Sequence, residues 1–209
     1  MFSFKTLATA AAVAFGALSV FAAPVAETAL VSRQVEVGAA AQVGVAAIIS
    51  STTSALGPAI AELHLITQVN ATVDVLTPIV ADISATLNAA IGEVNALRGQ
   101  PTAVILAGID VDALISVAGL ASLVADLINT VFIALGAVLN VAASVNISVV
   151  IPLLVSVGAL VGTLVTAVVT VGGSAVLGLV PAVLVLVHDV LAIIAHLNIT
   201  ALIGLGLHL

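Results

Sequence analysis

From Val69 the apolar residues advance along the chain in steps of four and three: Val69, Val73, Leu76, Val80, Ile83, Leu87, Ala90, Val94 and Leu97. This spacing draws one stripe down a helix, with Asn70, Asp74, Thr77, Ser84, Asn88 and Asn95 largely off it. Thr77-Pro78 has the form of an N-cap followed by proline at the first helical position, so a break or kink is expected there. Arg98-Gly99-Gln100-Pro101 then places a cation in the last turn, a glycine stop and a following proline, which ends the helix near Leu97. Upstream, Ser50 to Ser54 (Ser-Ser-Thr-Thr-Ser) is expected to be a polar connector, and Gly57-Pro58 a turn leading into a helix.

A second stripe begins after Asp110, at Leu114, Val117, Ala121, Val124, Ile128, Val131, Leu135, Val138 and Ala142. Its other faces carry Leu120, Leu123, Leu127, Phe132 and Leu139, so this helix is expected to be surrounded by others. Beyond Ser148, Val149–Val171 and Ala175–Leu197 are two further apolar segments separated by Gly172-Gly173-Ser174. Their Val-rich runs would also suit buried strands. Pro152 and Pro181 would interrupt a central strand but are tolerated near a helix start, which favours a strongly apolar helical hairpin. The expected fold class is therefore all-α.

Charge divides the same chain unequally. Of ten carboxylates, nine lie between Glu27 and Asp126, and from Leu127 to His188 there is no Asp, Glu, Lys or Arg. The expected regions are 1–22, a signal peptide; 23–57, a polar-leaning segment; 58–126, amphipathic and acidic; and 127–209, apolar and helical. Lys5, the apolar run Leu7 to Phe21 and the small-residue pattern Val20-Phe21-Ala22 carry the signal reading, with cleavage after Ala22. Loss of Lys5 would leave Arg33 and Arg98 against ten carboxylates, a formal charge of −8. Two cations cannot neutralise a phosphate backbone, so no nucleic-acid partner is expected, and no polybasic attraction to anionic lipid.

Over 209 residues the hydrophobic share is 63%, the charged share 6% and the aromatic share 2%, with no Cys. Intrinsic disorder needs the opposite balance. Without Cys there is no disulfide, thiolate metal site or Cys nucleophile. On length alone the hairpin between Val149 and Leu197 could cross a bilayer, and Gly158 and Gly162 form a small-xxx-small pair of the kind that lets helices pack closely. Against this, no Lys or Arg follows Arg98 to set orientation, and Phe132 is the one aromatic residue after the signal, so there is no aromatic belt. Ser156, Thr163, Thr166 and Thr170 recur through the run as they would in a helix packed on other helices.

Catalytic chemistry finds little to work with. His188-Asp189 and His196 lie on adjoining turns, but seven residues separate Asp189 from His196, about 10 Å along a helix. An i, i+4 pair is the usual helical metal arrangement, and His188 and His196 do not form one. His64 beside Glu62 is expected to be a polar edge. Asp110-Val111-Asp112 is better explained as helix capping than as a carboxylate pair. Gly172-Gly173-Ser174-Ala175-Val176 lacks the last glycine of a nucleophile elbow. No enzyme activity, metal or cofactor is expected. Asn70-Ala71-Thr72, Asn146-Ile147-Ser148 and Asn198-Ile199-Thr200 are N-glycosylation acceptors in a chain expected to be exported. Sugar on both Asn146 and Asn198 would require an even number of spans, zero included, between them.

The Ala-Ala-Pro signal end, the basic site at Arg33, the segment Leu76-Thr77-Pro78-Ile79-Val80-Ala81-Asp82 leading to Ala96-Leu97, and the ending Gly204-Leu205-Gly206-Leu207 together resemble a set of secreted fungal proteins. These are the small, cysteine-free, wall-associated proteins of mushroom-forming fungi; the eight-Cys hydrophobins are a different group. The resemblance implies a hyphal-wall or medium protein that supports aerial growth and attachment. On this reading the protein is secreted, extracellular or wall-bound, and self-associates or adsorbs at apolar surfaces, with the half from Leu127 onward as the contact surface. An Asp at Val161 or Val168 is then expected to raise solubility and reduce adsorption. The alternative is an integral membrane protein with lipid as its partner. A lipid-carrying bundle would bury the same surface around a ligand, but no polar groups are placed to hold a head group.

Overall fold

The structure, a computed structural model, describes residues 43–109, 113–142, 147–199, 202 and 204. The segment 1–22, read as a signal peptide, and Arg33, Asp110, Asp112 and Asn146 lie outside the described residues. From Gln42 onward the chain forms one compact unit. Among the described residues it is helical, with no strand beyond an isolated bridge between Ala107 and Leu114.

Four long helices make the frame: α1 (Val45–His64), α2 (Val73–Ala96), α4 (Val117–Ala142) and α5 (Ile147–Gly172). Between α2 and α4 sits the one-turn α3 (Thr102–Ile105); after α5 come α6 (Leu179–Leu186) and α7 (Leu191–His196), each preceded by a short 3-10 turn. The principal contacts join α1 to α2, α2 to α5, α5 to α4 and α4 to α1, closing a square. Short links make α1 and α2, and α4 and α5, antiparallel neighbours. Gly44, which precedes α1, lies so close to the Val104 and Ala107 carbonyls that an added Cβ would sit 2.9 and 2.5 Å from them. The Ile115 N–H donates to the Leu106 carbonyl, so α1 and α4 begin at the same end of the square. Helices α6 and α7 lie along α4, which thus meets α1, α5, α6 and α7.

The two stripes are buried much as their spacing predicts. On α2, Leu76, Val80, Ile83, Leu87, Ala90 and Val94 face inward. On α4, Ala121, Val124, Ile128, Val131, Leu135, Val138 and Ala142 do so, joined by Leu120, Leu127 and Phe132 from its other faces. Val69 and Leu114, the first position of each stripe, precede their helices and are 92% and 65% exposed.

Helix ends required corrections. The Ser50–Ser54 stretch is not a connector: α1 runs through it and through Pro58. The Ser51 and Thr52 hydroxyls donate to the Ile48 carbonyl, Thr53 to Ile49 and Ser54 to Ser50. With their own helix satisfying them, these polar groups have no need to leave it. Pro78 likewise lies inside α2, which starts five residues earlier at Val73 after an extended Thr72. The carbonyl that Pro78 leaves unpaired belongs to exposed Asp74, where water can reach it. The stop at the other end is as expected, with Gly99 at φ +83°. Helix α4 begins at Val117, not after Asp110, because the Ser116 hydroxyl accepts a 3.0 Å bond from the Gly119 N–H and caps it. The compositional boundaries at 57/58 and 126/127 both fall within helices.

The largest correction concerns the apolar half. On α5, Val150, Leu154, Val157, Val161, Leu164, Val168 and Val171 form an unbroken stripe of fours and threes, and all are buried. Ser148, Pro152, Ser156, Ala159, Thr163, Thr166 and Thr170 form the opposite, exposed stripe. Ser156, Thr163, Thr166 and Thr170 donate to carbonyls three or four residues back. They therefore line the outside and do not pack on other helices. Val161 and Val168 are 0% exposed and belong to the core, not to a contact surface.

An Asp at Val161 or Val168 would bury an unpaired charge. Either substitution is expected to lower stability by more than about 4 kcal/mol, with loss of helical signal at reduced urea concentration. An unchanged urea midpoint would show that these positions are open to water.

Candidate functional site

The second arm of the expected hairpin arrives in pieces. Gly173 has φ +51° and Gly178 φ +91°, a region open to glycine at little cost, and they bracket the turn that carries the chain from α5 to α6. Helix α6 and the segment His188–His196 then meet at 68°. Instead of returning along α5, α6 lies mainly on α4.

Two buried glycines receive this arm. An added Cβ at Gly136 of α4 would fall 2.6 Å from Ile193 Cδ1, and one at Gly158 of α5 would fall 2.6 Å from Ile199 Cδ1 and 3.3 Å from Phe132 Cζ. Gly158, a candidate for helix packing, thus packs within its own chain against Ile199 and Phe132. Gly162 is buried too, and its carbonyl accepts the Thr166 hydroxyl. A polar link crosses the same seam: Asn129 Nδ2 donates to the Leu186 carbonyl at 3.3 Å, while Asn129 Oδ1 is buried without a partner.

Beside these contacts an open groove of about 330 Å³ runs between α4 and the start of α7. Ile133, Leu139, Val190 and Ile193 supply its apolar walls, with Asn140 and Asp189 as polar lining. Asp189 pairs with His188 at 2.9 Å, and both side chains are largely in water. The His188 ring also approaches the Val185 carbonyl at 3.2 Å. His64 and His196 are exposed on other helix ends. Among the described residues no three His, Asp or Glu side chains gather where a metal could sit. The groove's chemistry is that of apolar contact with a thin polar rim.

Helix α6 differs from the frame helices. Its sequence, Leu-Val-Pro-Ala-Val-Leu-Val-Leu, holds no polar side chain. Val185 is 72% exposed, Leu186 45%, and Leu177 in the preceding turn 77%. The sequence reading missed this outward patch because it took the whole second half as one apolar surface. The signal was the absence of any Ser or Thr between Gly178 and Val187, against their regular return in α5.

Of the glycosylation candidates, Asn70 stands in the α1–α2 link, where its Oδ1 accepts from the Thr67 backbone N–H and hydroxyl. Asn198 is exposed, with φ +51°. Three helices, Val73–Ala96, Val117–Ala142 and Val150–Val176, are long and apolar enough to cross a membrane by length and composition, and the bent α6–α7 pair would make a fourth. No protein-family model, curated protein or solved structure matches the chain.

The glycines give a paired test. Gly57 lies exposed inside α1 with nothing near its Cβ position, so Gly57→Ala is expected to stabilise by about 0.5–1 kcal/mol. Gly158→Ala must displace Ile199 and is expected to cost about 1–3 kcal/mol. Equal midpoints for the two variants in urea unfolding would contradict the seating of Ile199 on Gly158.

Proposed function

We propose that this is a secreted, structural, surface-active protein of the fungal wall that self-associates or adsorbs at hydrophobic interfaces. The observation that carries the reading is the sorting of faces in the frame helices. Each turns most of its aliphatic side chains inward, with Val75 on α2 and Ile133 on α4 as exposed exceptions, and offers water an outer face made largely of Ala, Gly, Ser, Thr and Asn with few charges. Such helices keep their backbone hydrogen bonds when they separate, so they can exchange one another for an oil, wax or air boundary without unfolding locally. No disulfide resists that exchange, because the chain has no Cys. The fungal setting rests on the resemblance described from the sequence.

Membrane insertion through the hairpin between Val149 and Leu197 is the second reading, favoured by the length and hydropathy of the candidate spans. Lipid-facing helices, however, present large apolar residues to hydrocarbon, where polar side chains are expensive. Asp74 and Asp82 on α2, Asp126 on α4 and the hydroxyl stripe of α5 would occupy that outer position here.

Fractionation of expressing cells into medium, wall and alkali-washed membrane separates the two, with and without glycosidase to reveal use of Asn70, Asn146 or Asn198. The expected result is recovery from medium or wall, with adsorption of the recovered protein to alkane droplets. Recovery solely in the alkali-resistant membrane fraction would overturn the surface-protein reading.

A further inference from the structure

We propose that Asn70 carries an N-linked oligosaccharide, joined at Nδ2 by transfer from a lipid-diphosphate-linked donor. The inference rests on the export part of the surface-protein reading, since the sugar is added on the secretory route. It singles out one of the three Asn-x-Ser/Thr sequences.

The fold accounts for the oxygen of Asn70 and not for its nitrogen. Oδ1 accepts from the Thr67 backbone N–H and, at 3.1 Å, from the Thr67 hydroxyl, which ties the link between α1 and α2. A backbone N–H can only donate, so the atom facing it is the oxygen. An Asp carboxylate would accept both bonds at least as well, yet the residue is an amide. Its Nδ2 donates to no described residue. Asn129 Oδ1 is the one buried side-chain atom without a partner among the described residues, so Nδ2 of half-buried Asn70 reaches water. Two residues on, a hydroxyl is equally idle. Thr72 occupies the N-cap of α2, where a hydroxyl ordinarily accepts a helix N–H, but it makes no such bond and is exposed.

Asn198 is explained differently. At φ +51° it follows α7 in the left-handed region, which Asn enters more readily than other residues with a side chain, so the backbone accounts for its presence. At Asn70 the free amide nitrogen and the idle Thr72 hydroxyl are the two groups that the transfer uses. Transfer joins Nδ2 to the anomeric carbon of the sugar and breaks that carbon's bond to the lipid diphosphate oxygen. The amide gives up one proton, the lipid diphosphate leaves, and nothing is oxidised or reduced. Oδ1 remains an acceptor throughout, so the folded link keeps both Thr67 bonds with the sugar in place. The sugar is bulky and hydrated, and its chain neighbour Val69 is 92% exposed, so it keeps this end of the bundle in water.

Peptide mass spectrometry of the full-length chain, expressed in a yeast host with its own residues 1–22, tests the site. Peptide N-glycosidase in heavy-oxygen water turns a sugar-bearing Asn into a labelled Asp, so Asn70 is read separately from Asn146 and Asn198. The expected result is label at Asn70 in most of the secreted chain, its loss in Thr72→Ala and its retention in Thr72→Ser, because transfer needs the hydroxyl. Asn70→Asp removes the acceptor nitrogen and keeps both Thr67 bonds. It is expected to lose the label and to retain wild-type helix content by circular dichroism; loss of helix there would show that the fold needs the amide and would count against the site. Secreted wild type with Asn70 unlabelled would overturn the site and leave the export reading standing. A chain retained in the cytosol without sugar would overturn both. Label at Asn70 in a chain held by alkali-washed membrane would support the site and overturn the wall-protein reading.

Discussion

The stripe Val150, Leu154, Val157, Val161, Leu164, Val168 and Val171 is buried in a square of helices, and everything else in the fold depends on that burial. A fully buried Val or Leu contributes about 1.5–3 kcal/mol, and does so without the directional geometry that a polar contact needs. Polar contacts between helices are sparse by comparison: most described side-chain hydrogen bonds run back to a carbonyl three or four residues earlier in the same helix. Thr52 is the one buried polar side chain among the described residues, and its hydroxyl is satisfied by Ile48. Apolar packing therefore holds the helices to each other, while hydroxyl groups make the outer faces tolerable to water.

That division has a mechanical consequence. Forces that are non-directional and proportional to area do not distinguish one apolar partner from another. A bundle held this way exchanges its internal contacts for an external apolar phase more readily than one held by salt bridges or disulfides. The frame helices and α6 differ in how far this applies. The outer faces of the frame helices carry polar side chains, whereas α6 carries none.

Much of this was legible from spacing alone. The stripes of α2 and α4, the stop at Gly99 and the all-helical class follow from positions of Val, Leu and Ile, because periodicity reports which side of a helix is covered. The helix starts were harder to read. Ser50–Ser54, Gly57 and Pro58 looked like a connector, and Thr77-Pro78 like a cap, because local turn chemistry competes with a continuous helix whose hydroxyls bond to their own carbonyls. In α5 the recurring Ser156, Thr163, Thr166 and Thr170 were read as contacts with other helices, and the Val and Leu between them as an outer face, so a core was mistaken for a surface. The glycine seats under Ile193 and Ile199 left no sequence signal, since residues far apart in the chain define them. Gly158 drew attention as half of a small-residue pair; its partner proved to be an isoleucine from the chain's own end.

Carbene labelling in detergent-free water measures the central claim most directly, because a photolysed diazirine inserts into whatever apolar side chains solvent can reach. The account predicts labelling at Leu177, Val185 and Leu186, and protection of Val157, Val161, Leu164 and Val168. Labelling of the α5 stripe as heavily as Val185 would contradict it, since the apolar half would then be an open surface and not the core of a folded bundle.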